Sequence, residues 1–413
     1  MTQMINSKFK LEKSDDLIFM TASRAKKAIE KYGKDNVIDS TLGTLFDENE
    51  KFVALDTVYD TLKYMDKDLI ASYAPISGTN EFIQSVIKIC FEEHKPDAYI
   101  SASATIGGTG AIRNIILTYT DEDDYVICPN WYWPPYKPIT TENNRNFLTY
   151  ELLDTNYKFN IEEFEKALDK SLENRQRVVA IFNTPANNPT GFSIDDDSWD
   201  KILEIIKEKA KDDTNKITIL IDAAYMEFAG NGEQKKFLEK FSNLKENILV
   251  TIAYSMSKSF TAYGLRTGAS IAISSSKEVI EEFEYSQNTL NRCTWSNGVH
   301  SAMNVLVELT NNKETNKAYR KEIQEYRELL RKRAKIFEEI SKEIGLNILP
   351  YFGGFFITVL CKNPKEVAKK LEDKNLFIIP NERGLRFAVC AVKLAKCKKA
   401  PYLIKETIDQ ING

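Results

Sequence analysis

Histidine is nearly absent from this chain: His94 and His300 are the only two in 413 residues. The six cysteines (Cys90, Cys128, Cys293, Cys361, Cys390 and Cys397) are scattered without a CxxC pair, so neither residue type has the spacing of a zinc site. Several lie in apolar stretches, where a reduced, buried thiol is expected. Long apolar runs are missing too, and none approaches the roughly 20 residues that cross a bilayer. Residues Met1 to Lys13 hold neither an apolar core nor a small-residue cleavage site, unlike a secretory signal. Charge of one sign is also lacking: 56 basic against 60 acidic residues leave a net charge of −4. That gives no general attraction to nucleic acid or to an anionic membrane, and basic clusters such as Lys393 to Lys399 read as solvated surface. A cytoplasmic globular protein is expected, and its length suits two domains of roughly 100–200 residues each.

The middle of the chain alternates short β-branched runs with charged stretches of helical period. Tyr125–Cys128, Val178–Phe182, Ile217–Ile221, Ile248–Ile252 and Ala269–Ile273 read as buried, mainly parallel strands. Ile161–Leu172 and Trp199–Ala210 read as amphipathic helices between them. Strand–helix alternation of this kind predicts an α/β fold with helices on both faces of the sheet. A long charged helix from about Lys313 to Ile344 leads to a second set of elements. Strands are expected there at Asn347–Leu349, Phe355–Leu360, Phe377–Ile379 and Leu385–Val389, with helices at Pro364–Lys374 and Pro401–Ile411. This reads as a smaller α/β domain.

Polar residues of distinctive chemistry follow those strands, where ligands bind in such sheets. Lys258 stands in Ser255-Met256-Ser257-Lys258, with Arg266 eight residues on. An amine on a mobile stem forms a Schiff base with a carbonyl once its surroundings disfavour the ammonium form. Ser255, Ser257 and Arg266 supply donors for a phosphate beside it. The loop Gly107-Gly108-Thr109-Gly110 opens an apolar helical run; its free N–H groups suit an anion, though a plain strand-to-helix turn would look the same. Asn187-Asn188-Pro189-Thr190-Gly191 is turn chemistry, and Asp222 after Ile221 is either a cofactor-facing carboxylate or a helix cap. In this order, the loops point to one phosphorylated, cationic aromatic ring: pyridoxal phosphate.

From about Ser40 to Arg386 the set closely resembles the aspartate aminotransferase group of class I/II, fold-type-I enzymes that use pyridoxal 5′-phosphate. The resemblance implies a fold-type-I transferase with residues 51–319 as the large domain and 320–413 as the small one, the segment 1–50 packing with the latter. It implies that Lys258 carries the Schiff base and then moves the proton. Gly108, Thr109, Gly110, Ser255, Ser257 and Arg266 would hold the phosphate, and Gly107 replaces a serine common in the group. Trp131 would stack on the pyridine ring, with Tyr132 and Trp133 as competitors for that place. Asp222 would keep the ring nitrogen protonated, and Asn188 and Tyr225 would contact the phenolic oxygen.

For substrate, the resemblance assigns the α-carboxylate to Arg386 and a distal carboxylate to Arg292, with Asn188 and Gly43 as further contacts. Tyr73 and Arg292 would act across a homodimer interface. After Asn297 the group's usual Pro-Pro is replaced by Gly298-Val299. The implied reaction moves an amino group from aspartate, or from an aromatic amino acid in relatives that keep the same arginine, to 2-oxoglutarate. A β-lyase or decarboxylase of the same fold type is the alternative. A non-catalytic regulator that binds the same cofactor is disfavoured, since the residues before Ser40 are too few for a DNA-binding domain.

Overall fold

The computed structural model describes Met4 and residues 17–412, apart from 174, 231 and 232. The remainder of the N-terminal segment, residues 1–3 and 5–16, lies outside the described residues. The described residues form eleven strands, in chain order β1 (Ile38–Ser40), β2 (Tyr99–Thr105), β3 (Tyr125–Pro129), β4 (Asn146–Tyr150), β5 (Arg177–Asn183), β6 (Lys216–Asp222), β7 (Ile248–Ser255), β8 (Gly268–Ser274), β9 (Phe356–Leu360), β10 (Leu376–Pro380) and β11 (Gly384–Ala388).

Seven of them form one sheet in the order β2-β8-β7-β6-β5-β3-β4. All pairings are parallel except those of β8, which runs antiparallel to both β2 and β7. The central strands are buried along nearly their whole length, which explains why they read as unbroken runs of Val, Ile and Leu. Helices cover the sheet where the sequence supplies caps. Asn160 accepts from the Glu163 amide to start Ile161–Leu172, and Asp195 accepts from the Ser198 amide to start Asp196–Lys209. Phe182 of β5 packs on Trp199, which stacks on Phe237 at 5.3 Å and 9°. Burying each such ring contributes roughly 1.5–3 kcal/mol.

The second sheet has the order β1-β10-β11-β9, with β1 parallel to β10 and the other pairs antiparallel. The short β1, from the N-terminal part of the chain, thus completes a sheet otherwise built from residues after 355. The 31-residue helix Lys313–Glu343, capped by Asn312, connects the two regions. Two expectations need correction here. Asn347–Leu349 is not a strand; only Ile348 forms an isolated bridge, to Val359. The last helix begins at Leu394, ahead of Pro401, which lies inside it.

β2 and β5–β7 point their carboxyl ends to one edge. Register brings Thr105, Gly268 and Ser255 into one row, and Asn183, Asp222 and Ala253 into another. That edge faces the second sheet across a cavity of about 920 Å³.

Candidate active site

Lys258 occupies the turn Met256–Ser259 directly after β7 and projects into this cavity. Its Nζ donates to the Gly43 carbonyl at 2.7 Å and lies 4.7 Å from the centre of the Tyr263 ring. Burial brings the ammonium pKa down to about 8. The guanidinium groups of Arg386 and Arg266 push the same way, while Cys390 and Asp222 oppose it. The neutral amine is then a minority at pH 7 and about half of the population near pH 8.

Beside the lysine is a cradle for an anion. Gly108 and Thr109, in the first turn of helix Gly107–Tyr119, line the cavity with Ser255, Ser257 and Arg266. Arg266 Nη1 donates to Ser257 Oγ at 3.1 Å and to the Tyr263 carbonyl at 3.0 Å, which fixes the guanidinium at the cavity wall. Gly107 has φ +66, and a Cβ there would stand 2.9 Å from Arg266 Nη2. A side chain at this left-handed position is strained, and its Cβ would press on the tip of the arginine side chain. Gly110 does not join the cradle: its N–H donates to the Ile106 carbonyl, and it lies against the Trp295 ring.

Asp222 ends β6 and is buried at the cavity wall. Its Oδ1 accepts from the Ala224 amide at 3.2 Å, and its Oδ2 accepts from the Tyr136 hydroxyl at 2.5 Å. Burial raises its pKa, opposed by those two hydrogen bonds and the charge of Lys258. Asn183 joins Asp222 to the next loop: its Nδ2 donates to the Asp222 carbonyl, and its Oδ1 accepts from the Asn188 amide at 2.6 Å. Asn188 therefore projects into the cavity, where its buried Oδ1 has no hydrogen-bond partner among the described residues. Gly191 closes this loop at φ +74, where a side chain would strike Tyr351 and the Phe356 carbonyl. Tyr225 lines the cavity too, its ring edge-on to Phe355 and Phe356.

Arg386, on β11, reaches the cavity from the second sheet. Its Nη2 donates to the Thr41 carbonyl at 2.6 Å, and its guanidinium carbon lies 4.4 Å from the centre of the Phe356 ring. The segment after β1 also brings Gly43 to the cavity, through the carbonyl that accepts from Lys258.

Besides Gly110, three expected site residues do not line this subunit's cavity. Trp131 is packed in the core, its carbonyl accepting from Asn187, whereas Tyr132 and Trp133 line the cavity. Tyr73 is 89% exposed. Arg292 is exposed in the last turn of helix Lys277–Thr294 and donates to Ser296 Oγ at 2.8 Å. The loop bearing Tyr73 is joined to the end of the Arg292 helix and the turn after it, since Asn291 Nδ2 donates to the Ile76 carbonyl at 3.4 Å and Asn297 Nδ2 to the Ala74 carbonyl at 2.7 Å. Sequence reasoning missed Tyr136, Asn183 and Tyr263. They belong to no motif, and only the fold brings them to Asp222, Asn188 and Lys258.

The residues fit pyridoxal phosphate. A cationic cradle, a partly neutral lysine amine, a buried carboxylate and an unsatisfied amide oxygen face one cavity bounded by aromatic side chains.

Comparison with known proteins agrees with this chemistry. The family model described as aminotransferase class I and II matches residues 42–401. The crystal structure of an aminotransferase from Anaerococcus prevotii is 45% identical and superposes with a TM-score of 0.97, covering 99% of this chain and 100% of that one. The aspartate aminotransferase of Escherichia coli K12 is 23% identical over 370 residues, 86% of this chain and 89% of the relative. An aromatic-amino-acid aminotransferase from Burkholderia pseudomallei, covalently bound to pyridoxal phosphate, shares the fold with a TM-score of 0.79 at 18% identity, over 98% and 100% of the two chains.

Proposed function

The chain belongs to the class I and II aminotransferases, which depend on pyridoxal 5′-phosphate, and on that premise we propose that it moves amino groups between an amino acid and 2-oxoglutarate. Aspartate and glutamate are the proposed dicarboxylate donors, with aromatic amino acids as secondary ones. The observation that carries this reading is the convergence of Lys258, Asp222, Arg266 and Arg386 on one cavity.

Lys258 would hold the cofactor covalently through Nζ. Gly108, Thr109, Ser255, Ser257 and Arg266 would hold its phosphate, Asp222 its ring nitrogen, and Asn188 and Tyr225 its phenolic oxygen. Tyr132 and Trp133 are the rings of the 131–133 segment available to lie against it, since Trp131 does not line the cavity. When bound, the cofactor supplies an electron sink for the bond broken at the substrate Cα. Arg386 grips the substrate α-carboxylate, which orients the Cα–H bond. Once the substrate's amino group has displaced it from the cofactor, the freed Lys258 amine would take the proton from Cα. A cavity wall that includes Leu17, Ile18, Pro134, Pro135 and Ile379 gives an apolar substrate side chain a place to pack.

For a distal carboxylate, we assign Arg292 of a second subunit, with Tyr73 of that subunit at the phosphate. The working unit is then a homodimer, which we place in the cytoplasm; among the described residues no helix is long and apolar enough to cross a membrane. The four-stranded sheet and its helices are taken as the small domain, residues 320–413 with 1–50, and residues 51–319 as the large one.

A panel of half-reactions tests the function. The cofactor-loaded protein is mixed with aspartate, glutamate, tyrosine, phenylalanine, alanine or cystathionine, and the cofactor absorbance is followed. Full conversion by the dicarboxylates, reversed by 2-oxoglutarate, is expected. Release of pyruvate or carbon dioxide without amino transfer would contradict it.

A further inference from the structure

Tyr136 belongs to no motif, yet it stands directly behind two groups that face the cavity. It is fully buried in helix Tyr136–Thr141, and its hydroxyl donates to Asp222 Oδ2. The ring of Trp133 stands edge-on to the same residue, with centroids 5.5 Å apart and an interplanar angle of 82°. One side chain thus touches both the carboxylate and an aromatic ring of the cavity wall.

We propose that Tyr136 is a positioning residue for the cofactor, fixing the direction of Asp222 and holding it ionised while setting the tilt of Trp133. The proposal rests on the reading of Asp222 as the partner of the ring nitrogen. With the Ala224 amide on one oxygen and the Tyr136 hydroxyl on the other, rotation of the carboxylate would break two hydrogen bonds in a buried site, where unmade bonds are costly.

The identity of the donor matters. The titratable groups that face Asp222 and Tyr136 are Tyr225 after β6, Lys258 after β7 and Cys128 on β3. Both histidines are engaged elsewhere, His94 with Glu239 and His300 with Ser72. Burial and the Asp222 charge keep the Tyr136 hydroxyl protonated far above neutrality. A phenol is therefore a constant donor, where an imidazole would change its charge between about pH 5 and 8. Removing it leaves the effect of burial on Asp222 less opposed, so the carboxylate takes up its proton at a higher pH.

The test uses pyridoxamine 5′-phosphate, which keeps the ring and phosphate but cannot react with Lys258. Its affinity for the apoprotein is measured from pH 5 to 9 in wild type, Tyr136→Phe, Asp222→Asn and the double variant. Tyr136→Phe keeps the ring that packs on Trp133, and thermal unfolding of each apoprotein checks the fold. We expect Tyr136→Phe to weaken binding about tenfold or more, the loss growing as pH falls, because a hydrogen bond to a charged group is removed. In the Asp222→Asn background the same change should have little further effect. Equal losses in both backgrounds, or none in wild type, would overturn the role of Tyr136. Unchanged affinity in Asp222→Asn alone would overturn the reading of Asp222, and this proposal with it.

Discussion

Lys258 and Arg386 are anchored to the same three-residue segment: the lysine Nζ donates to the Gly43 carbonyl at 2.7 Å and the arginine Nη2 to the Thr41 carbonyl at 2.6 Å. They come from different sheets, one after β7 and one on β11. The segment leaving β1 thus ties together the amine proposed to move the proton and the guanidinium proposed to hold the carboxylate.

Arg386→Gln should therefore damage the use of every amino acid, whatever its side chain. A charge-assisted pair contributes about 1.5–3 kcal/mol, so kcat/KM should fall roughly ten- to hundredfold. Arg386→Lys keeps the charge but not the two-point grip, and should recover only part of the loss. Steady-state kinetics with aspartate and phenylalanine check this; a loss confined to one class would place Arg386 at the side chain.

The lysine amine should titrate at about 8 in the apoprotein. Only the neutral amine attacks a carbonyl, so capture of pyridoxal phosphate should accelerate as pH rises through that value and then level off. Stopped-flow absorbance against pH gives the midpoint. Because the Arg386 charge lowers this pKa, the midpoint should move up in Arg386→Gln. A midpoint near the ordinary lysine value of 10.5 would mean that the amine is not desolvated.

The loop of Tyr73 is tied through Ala74 to Asn297, in the turn that follows the helix of Arg292, so both should reach the same neighbouring subunit. Mixing inactive Lys258→Ala subunits with Arg292→Ala subunits should restore one competent dicarboxylate site per heterodimer. If subunits exchange and no such activity returns, Arg292 does not act across an interface. Arg292→Ala alone should depress activity toward aspartate and glutamate, by about ten- to hundredfold, far more than toward tyrosine.

A buried ion cluster supports the turn that follows Tyr225. Lys235 Nζ contacts Glu227 at 2.8 Å and Glu92 at 3.1 Å, and Arg320 of the long helix joins both acids. Burial alone would raise the Glu227 pKa, but the charges of Lys235, Arg320 and Arg327 hold it below the ordinary glutamate value. Its contribution is thus present at neutral pH and lost as acid protonates it. Lys235→Met leaves Glu227 with one buried counter-charge fewer and should cost about 3–5 kcal/mol. Urea unfolding at pH 7 measures this; a loss under about 1 kcal/mol would place the pair among weak surface bridges.

Much of this was legible in the sequence where one physical requirement dominates. The short β-branched runs of β5, β6 and β7 read as buried strands, and chemistry at their carboxyl ends follows from the direction of a parallel sheet. β2 is obscured by its small and polar residues, β4 is a short, partly exposed strand, and the three-residue β1 is too short for periodicity. Pro401 suggested a helix start, yet the helix runs through it from Leu394. Within the site, local motifs marked Lys258, Asp222 and Asn188. Which of three adjacent aromatics faces the cavity depends on how the chain leaves β3, and no local pattern encodes that. Tyr136 was invisible for the same reason: its value lies in a contact 86 residues away along the chain.

The central claim is that Lys258 is the covalent partner of the cofactor, and it has a direct measurement. The protein loaded with pyridoxal phosphate is reduced with borohydride, digested, and the labelled peptide sequenced by mass spectrometry. The pyridoxyl group should be on Lys258, in the peptide containing Ser255-Met256-Ser257, and Lys258→Ala should take up none. A stoichiometric label on any other lysine would contradict the account of the site.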